Sequence, residues 1–192
     1  MSTAVRTTER KSRTATSTNT ESVSTASGNS KREVYYAPES AVEIIEPFIK
    51  NYKTIWDPAA GASEKYPLKD CLEKLGHRVV TTDIIMGNDY DFFNHKTKKR
   101  YELIVTTPPY SLRKEFILRA TELKKPFAFL VPVNVLESKT IRDLLKQYNM
   151  TIVFPGKTAN FTSPTDSKSV KALPYSIWVI GGISDLPSIV YL

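Results

Sequence analysis

A chain of 192 residues with 41% hydrophobic residues suits one globular domain of ordinary size and leaves no room for a second full one. It has no run of about 18 apolar residues and begins with a polar stretch, so neither a transmembrane helix nor a secretory signal is expected, and an intracellular location of open compartment is. Cys71 is the only cysteine, so a disulfide framework and a Cys-based zinc site are excluded; His77 and His95, the only histidines, are far apart without metal spacing, and no structural metal is expected.

The formal charge of +7 favours polyanionic partners. Much of it lies in residues 1–32, where Arg6, Arg10, Lys11, Arg13, Lys31 and Arg32 oppose only Glu9 and Glu21. That segment is rich in Ser and Thr and poor in large apolar side chains, so it cannot offset its ordering entropy by burial. It reads as a disordered tail, with a nucleic-acid tether and a targeting peptide as alternatives. The folded domain is expected over residues 33–192.

Pro38–Lys50 has helical spacing through Val42, Ile45, Phe48 and Ile49, with a kink or early end at Pro47. Lys53–Trp56 is a short apolar strand running into Asp57-Pro58. Tyr66–Leu75 reads as a helix closed by Gly76. His77–Thr82 is a strand ending at Asp83, and Glu102–Val105 is a strand ending at Thr106 and Thr107. Ser111 is placed to cap a helix over Leu112–Lys124. Phe127–Val133 is a buried strand, Ser138–Tyr148 an amphipathic helix, and Thr151–Phe154 a strand. A long polar loop, 156–172, leads to a last strand over Leu173–Ile183 that ends or bulges at Gly181-Gly182. Strands alternating with helices predict an α/β fold, a mostly parallel sheet covered on both faces. Ligands of such sheets bind beyond the C-terminal strand ends, near the switch point.

The chemically suggestive residues fall at those ends. Asp57-Pro58-Ala59-Ala60-Gly61 follows the first strand. Its small residues admit a ligand close to the backbone, and Asp57 suits a cationic group. With one glycine, it is not the dinucleotide fingerprint. A plain strand-to-helix turn is the alternative. Asp83 can accept both hydroxyls of a ribose, or merely cap a turn. Asp91 and Phe92 offer a hydrogen-bonding carboxylate beside an aromatic, suited to an adenine, or a turn followed by core aromatics. Thr107-Pro108-Pro109-Tyr110 is the most specific signal. Two prolines cannot extend a ladder, and they stiffen the turn with its carbonyls outward. Tyr110 then stands where it can stack on a base taken out of its helix.

On these motifs the chain resembles the S-adenosylmethionine-dependent amino-methyltransferases of nucleic-acid bases, the adenine-N6 and cytosine-N4 type. Thr107-Pro108-Pro109-Tyr110 is similar to that family's Asp/Asn/Ser-Pro-Pro-aromatic motif. Tyr36-Ala37-Pro38 resembles its N-terminal motif, and Asp57 to Gly61 its cofactor loop. Asp83 matches its ribose-binding acid, and Asp91-Phe92 its adenine-binding pair. Lys125-Pro126-Phe127-Ala128 makes the likeness greatest to short phage-type adenine methyltransferases.

The resemblance implies a Rossmann-like class I methyltransferase fold with an antiparallel last strand. It implies S-adenosylmethionine held by Tyr36, Pro38, Asp57, Ala59, Gly61, Asp83, Asp91 and Phe92, and a catalytic motif of Thr107, Pro108, Pro109 and Tyr110. It implies DNA or RNA as partner, adenine N6 as favoured target, and no membrane. The departures are Thr107 where adenine enzymes carry Asp or Asn, Ala37 for Thr or Ser, and Ala62-Ser63 without a second glycine. Cytosine-N4 enzymes carry Ser at the first of these. The alternative is a catalytically inactive relative that binds nucleic acid or supports an active partner subunit. A homodimer is also compatible, and no separate target-recognition domain fits in the chain. The basic run Lys96, Lys98, Lys99 and Arg100 reads as a solvated loop or a phosphate contact. The loop with Lys157, Asn160, Phe161 and Lys168 is long enough to suggest function.

Overall fold

The computed structural model describes residues 36–61, 67–94, 99–159, 161 and 175–192. The tail expected over residues 1–32, residues 95–98 of the basic run and nearly all of the loop after Ala159 lie outside them.

Seven strands form one sheet: β1 (Thr54–Asp57), β2 (Arg78–Thr81), β3 (Leu103–Thr106), β4 (Phe127–Pro132), β5 (Thr151–Phe154), β6 (Ser176–Gly181) and β7 (Ile189–Tyr191). Their order is β2-β1-β3-β4-β6-β5-β7. β1 pairs parallel with β2 and β3, β3 with β4, and β5 with β7. β6 runs antiparallel between β4 and β5. The Rossmann-like, mostly parallel architecture is therefore present. The strand expected over Leu173–Ile183 is the antiparallel one, but it is not the last. The chain turns back after Gly182 and adds β7 at the far edge, parallel to β5. Chain order reverses direction between β1 and β3, which makes their C-terminal ends the switch point.

Side-chain alternation along the strands supplies two cores. Ile55, Leu103, Val105, Ala128, Leu130, Val153, Trp178 and Ile180 face α1 (Glu39–Glu43), α2 (Glu46–Ile49) and α3 (Pro67–Lys74). Trp56, Ile104, Phe127, Phe129, Val131, Ile152, Ile177 and Val179 face α4 (Arg113–Leu123) and α5 (Lys139–Gln147). Both faces are thus covered, which explains why β4 is buried along its whole length. The Trp178 indole donates to the Ala41 carbonyl (2.9 Å), fixing α1 over the sheet. None of the described helices is long and apolar enough to cross a membrane.

Local chemistry sets the element boundaries. The helix expected over Pro38–Lys50 is two short ones, because Pro47 lacks an N–H and its ring crowds the carbonyl one turn back. α3 ends in a Schellman motif: His77 N–H reaches Leu72 C=O (3.1 Å) and Gly76 N–H reaches Glu73 C=O (3.0 Å). Gly76 supplies the positive φ of 94° that this motif requires. The cap expected at Ser111 is displaced. Tyr110–Leu112 forms a 3-10 turn, Leu112 occupies the N-cap, and no side chain caps α4.

Candidate functional site

Three strand ends, those of β1, β2 and β3, meet on one rim of the sheet. β1 ends at Asp57, which is 2% exposed. Its Oδ1 accepts the Thr106 hydroxyl (2.7 Å) from the end of β3 and the Ala59 N–H (3.2 Å) from the following turn. Asp57 C=O accepts Thr82 N–H (2.9 Å), and Thr82 C=O accepts Ala60 N–H (3.2 Å). The Thr82 hydroxyl accepts the Trp56 indole N–H (2.9 Å). These bonds tie β1, β2 and β3 together just where the strands stop pairing.

Asp83 completes the lattice. Its Oδ2 accepts Gly61 N–H and its Oδ1 accepts Ile85 N–H, each at 2.9 Å. The turn after β1 is thereby clamped to the turn after β2. Gly61 has a φ of 77°, a conformation that costs a residue with a Cβ about 1–2 kcal/mol.

Burial pushes the Asp57 carboxyl up to about 7, and the nearby Asp83 charge adds to the rise. The bonds from Thr106 and Ala59 oppose it. A carboxylate so enclosed, with no cation among its described partners, suits a cationic ligand group. Asp83 accepts two bonds from described residues, and a carboxylate offers roughly four lone-pair positions, which suits a pair of vicinal hydroxyls as well.

Tyr36 lies half-buried before α1, and Pro38 is that helix's N-cap. The Tyr36 hydroxyl is buried and has no hydrogen-bond partner among the described residues. An orphaned buried hydroxyl is costly unless a ligand answers it. Tyr36, Asp57, Asp83 and the Gly61 backbone are groups that could hold S-adenosylmethionine, which carries an ammonium, a carboxylate and a ribose.

Thr107-Pro108-Pro109-Tyr110 leaves β3 one residue after Thr106, so the Thr106–Asp57 bond places its start at the switch point. Leu112 N–H closes the turn on Pro109 C=O (2.9 Å), and the Arg113 guanidinium donates to Tyr110 C=O. The Tyr110 ring meets the Phe161 ring edge-on, with centroids 6.2 Å apart and planes at 84°.

Asp91 and Phe92 are placed differently. The Asp91 carboxylate accepts Phe93 N–H (3.1 Å) and the Asn94 amide (3.0 Å), both local to its own turn. Phe92 is 2% exposed, stacked on Phe116 (4.6 Å, 24°) and set against Trp56 (5.4 Å, 60°). Its ring belongs to the core beneath α4, where burial among aromatics gains more than contact with one ligand face. Thr82 and Thr106 were not singled out from the sequence. Their signal was the doubled threonine closing an apolar strand, at Thr81-Thr82 and Thr106-Thr107.

No protein-family model matches the chain, and no curated protein does. Among solved structures, one from Listeria monocytogenes, provisionally described as a class I S-adenosylmethionine-dependent methyltransferase, is similar at 14% identity and a TM-score of 0.49. The match covers 80% of this chain and 64% of that protein. A predicted O-methyltransferase from Agrobacterium tumefaciens is similar at 11% identity and a TM-score of 0.37, over 72% of this chain and 77% of that one.

Proposed function

We propose that this chain is an S-adenosylmethionine-dependent methyltransferase that acts on an exocyclic amino group of a nucleic-acid base in DNA or RNA, with adenine N6 the favoured acceptor. The observation that supports this best is the Thr106–Asp57 hydrogen bond. It fixes the residue that precedes the Pro-Pro-Tyr turn to the residue that opens the Asp57–Gly61 turn. A base held by the first then lies beside a cofactor held by the second.

When bound, the cofactor supplies a methyl group on a sulfonium centre. The chain's part is to hold and orient. Asp57 accepts from the ammonium, Asp83 from the ribose hydroxyls, and Tyr36 offers its hydroxyl at the methionine end. Pro38 and Ala59 shape the backbone on either side. Asp91 is assigned to the adenine amino group, with Phe92 backing its turn from the core. On the acceptor side, Tyr110 stacks on the flipped base. Thr107 and a proline carbonyl of Pro108-Pro109 accept the amino N–H bonds, which directs the nitrogen lone pair toward the methyl. Catalysis by this route rests on positioning and electrostatics.

Calorimetric titration with S-adenosylmethionine and S-adenosylhomocysteine tests the pocket without a guess about substrate. Micromolar binding is expected; no binding at millimolar ligand overturns the reading. Transfer of labelled methyl to DNA and RNA, followed by digestion, then identifies the base.

Thr107 favours one second reading. A neutral hydroxyl is a weaker acceptor than the carboxylate or amide of adenine enzymes. On that reading the chain is inactive and binds nucleic acid or supports an active partner subunit. Turnover by the purified protein on any substrate excludes it.

A further inference from the structure

Three aromatic rings form a preassembled stack at the same end of the sheet, away from the candidate site. Phe154 closes β5, Tyr175 precedes β6 and Tyr191 lies in β7. The Phe154 and Tyr191 centroids are 5.1 Å apart with planes at 17°, and those of Phe154 and Tyr175 are 6.5 Å apart, also at 17°. Each flanking ring is anchored through the backbone. Tyr175 C=O accepts Val133 N–H (2.8 Å) at the end of β4, and its hydroxyl donates to Pro155 C=O. Leu192 N–H donates to Phe154 C=O (3.1 Å), in register with the Phe154–Tyr191 pair.

Core stabilisation explains only half of this arrangement. Tyr175 and Phe154 are half-buried against the α5 side of the sheet, and cross-strand aromatic pairs support sheets. Tyr191, however, is 76% exposed. It stands on the edge strand, so the stack runs along the hydrogen-bonding direction and ends with an open ring face beyond the sheet. A rigid ring with one open face, ordered before any ligand arrives, suits a planar partner that stacks. Lys157, exposed three residues after Phe154, places a cation in the turn that follows the stack's middle ring. Ring stacking beside a phosphate-attracting charge is the chemistry of unpaired nucleic acid. The candidate site and the stack share the C-terminal rim, four strand positions apart from β3 to β7, or about 19 Å at the usual spacing.

We infer that Tyr175, Phe154 and Tyr191 form a stacking platform for unpaired bases of single-stranded DNA or RNA, which holds the strand whose target base is presented at Tyr110. The inference rests on the nucleic-acid reading above. It gives the chain a means of gripping its substrate without reading sequence.

The test measures fluorescence anisotropy of labelled single-stranded DNA and RNA of mixed sequence, using the full chain without cofactor. Tyr191→Leu keeps apolar cover but removes the flat ring, and should weaken binding about tenfold. Tyr191→Trp should bind at least as well as the native chain, and unfolding curves confirm that both variants are folded. The relative affinities for the two oligonucleotides identify the source of the strand. Native affinity in Tyr191→Leu overturns the platform, as does failure of the native chain to bind either oligonucleotide. A fall from dimer to monomer in Tyr191→Leu, with nucleic-acid affinity unchanged, would make the ring a contact between copies and likewise overturn it. Tyr191-dependent binding without methyl transfer refutes the proposed reaction but not the platform. Transfer without Tyr191-dependent binding refutes the platform alone.

Discussion

The Thr106 hydroxyl and the Asp57 carboxylate meet at 2.7 Å across the ends of β3 and β1, inside the protein. The bond favours the ionised carboxylate against a burial that favours the neutral acid. Thr106→Val should therefore raise the Asp57 pKa further. It should cost about 1–3 kcal/mol near pH 8, where the charge loses its donor, and less near pH 5. Thr106→Ser should recover most of the loss. Denaturant unfolding at the two pH values measures both.

Asp57 itself gives the chain a stability slope of definite sign. The folded carboxyl holds its proton up to about pH 7, the unfolded one only to about pH 4. Between these values the folded state binds more protons, so stability falls as pH rises, then levels off above 7. Asp57→Asn should remove that component, on the order of a few kcal/mol. The variant should be the more stable protein at pH 8 while losing cofactor affinity. The same titration predicts that S-adenosylmethionine binds about tenfold more weakly one pH unit below the Asp57 pKa than well above it, which calorimetry across that range would reveal.

Tyr36→Phe separates stability from binding. Its hydroxyl is buried with no hydrogen-bond partner among the described residues, so removing it should leave the free protein unchanged or stabilise it by up to about 1 kcal/mol. Affinity for S-adenosylmethionine should fall. A matched loss of stability with unchanged affinity would show that the hydroxyl serves the fold instead.

Gly61→Ala forces a Cβ into a φ of 77°. A loss of about 1–2 kcal/mol is expected, together with weaker cofactor binding as the Asp83 clamp loosens. Thermal unfolding and calorimetry measure the two effects.

Tyr110→Ala should abolish methyl transfer while leaving the fold and cofactor affinity intact, since the ring's role is assigned to the acceptor base. Unchanged turnover would remove the stacking assignment.

The parts of this site that the sequence disclosed are those written locally. Asp57 and Asp83 each follow a short apolar run, and small residues follow Asp57, so strand, turn and ligand end appear in one stretch of chain. Thr106 and Thr82 could not be read so. A threonine at a strand end becomes a buried donor or acceptor only when β1, β2 and β3 pair, and Thr106 and Asp57 are 49 positions apart. Phe92 shows the same limit from the other side. An Asp beside an aromatic suits a ligand or a core equally, and the packing of the Phe92 ring on Trp56 and Phe116 is not written in the local stretch. The cap expected at Ser111 gave way to a 3-10 turn through Leu112. β7 escaped notice because three residues after Pro187-Ser188 carry too little pattern to separate a strand from a tail.

The antiparallel β6 has a consequence for how the protein is made. It lies between β4 and β5, both of which leave the ribosome before it. Until it arrives, those two strands carry open edges flanked by mostly apolar side chains, a template for mispairing with other chains. The sheet therefore closes between β4 and β5 only once β6 has been made. Nascent chains stalled before Tyr175 should recruit chaperones and aggregate, whereas chains that include β6 should not.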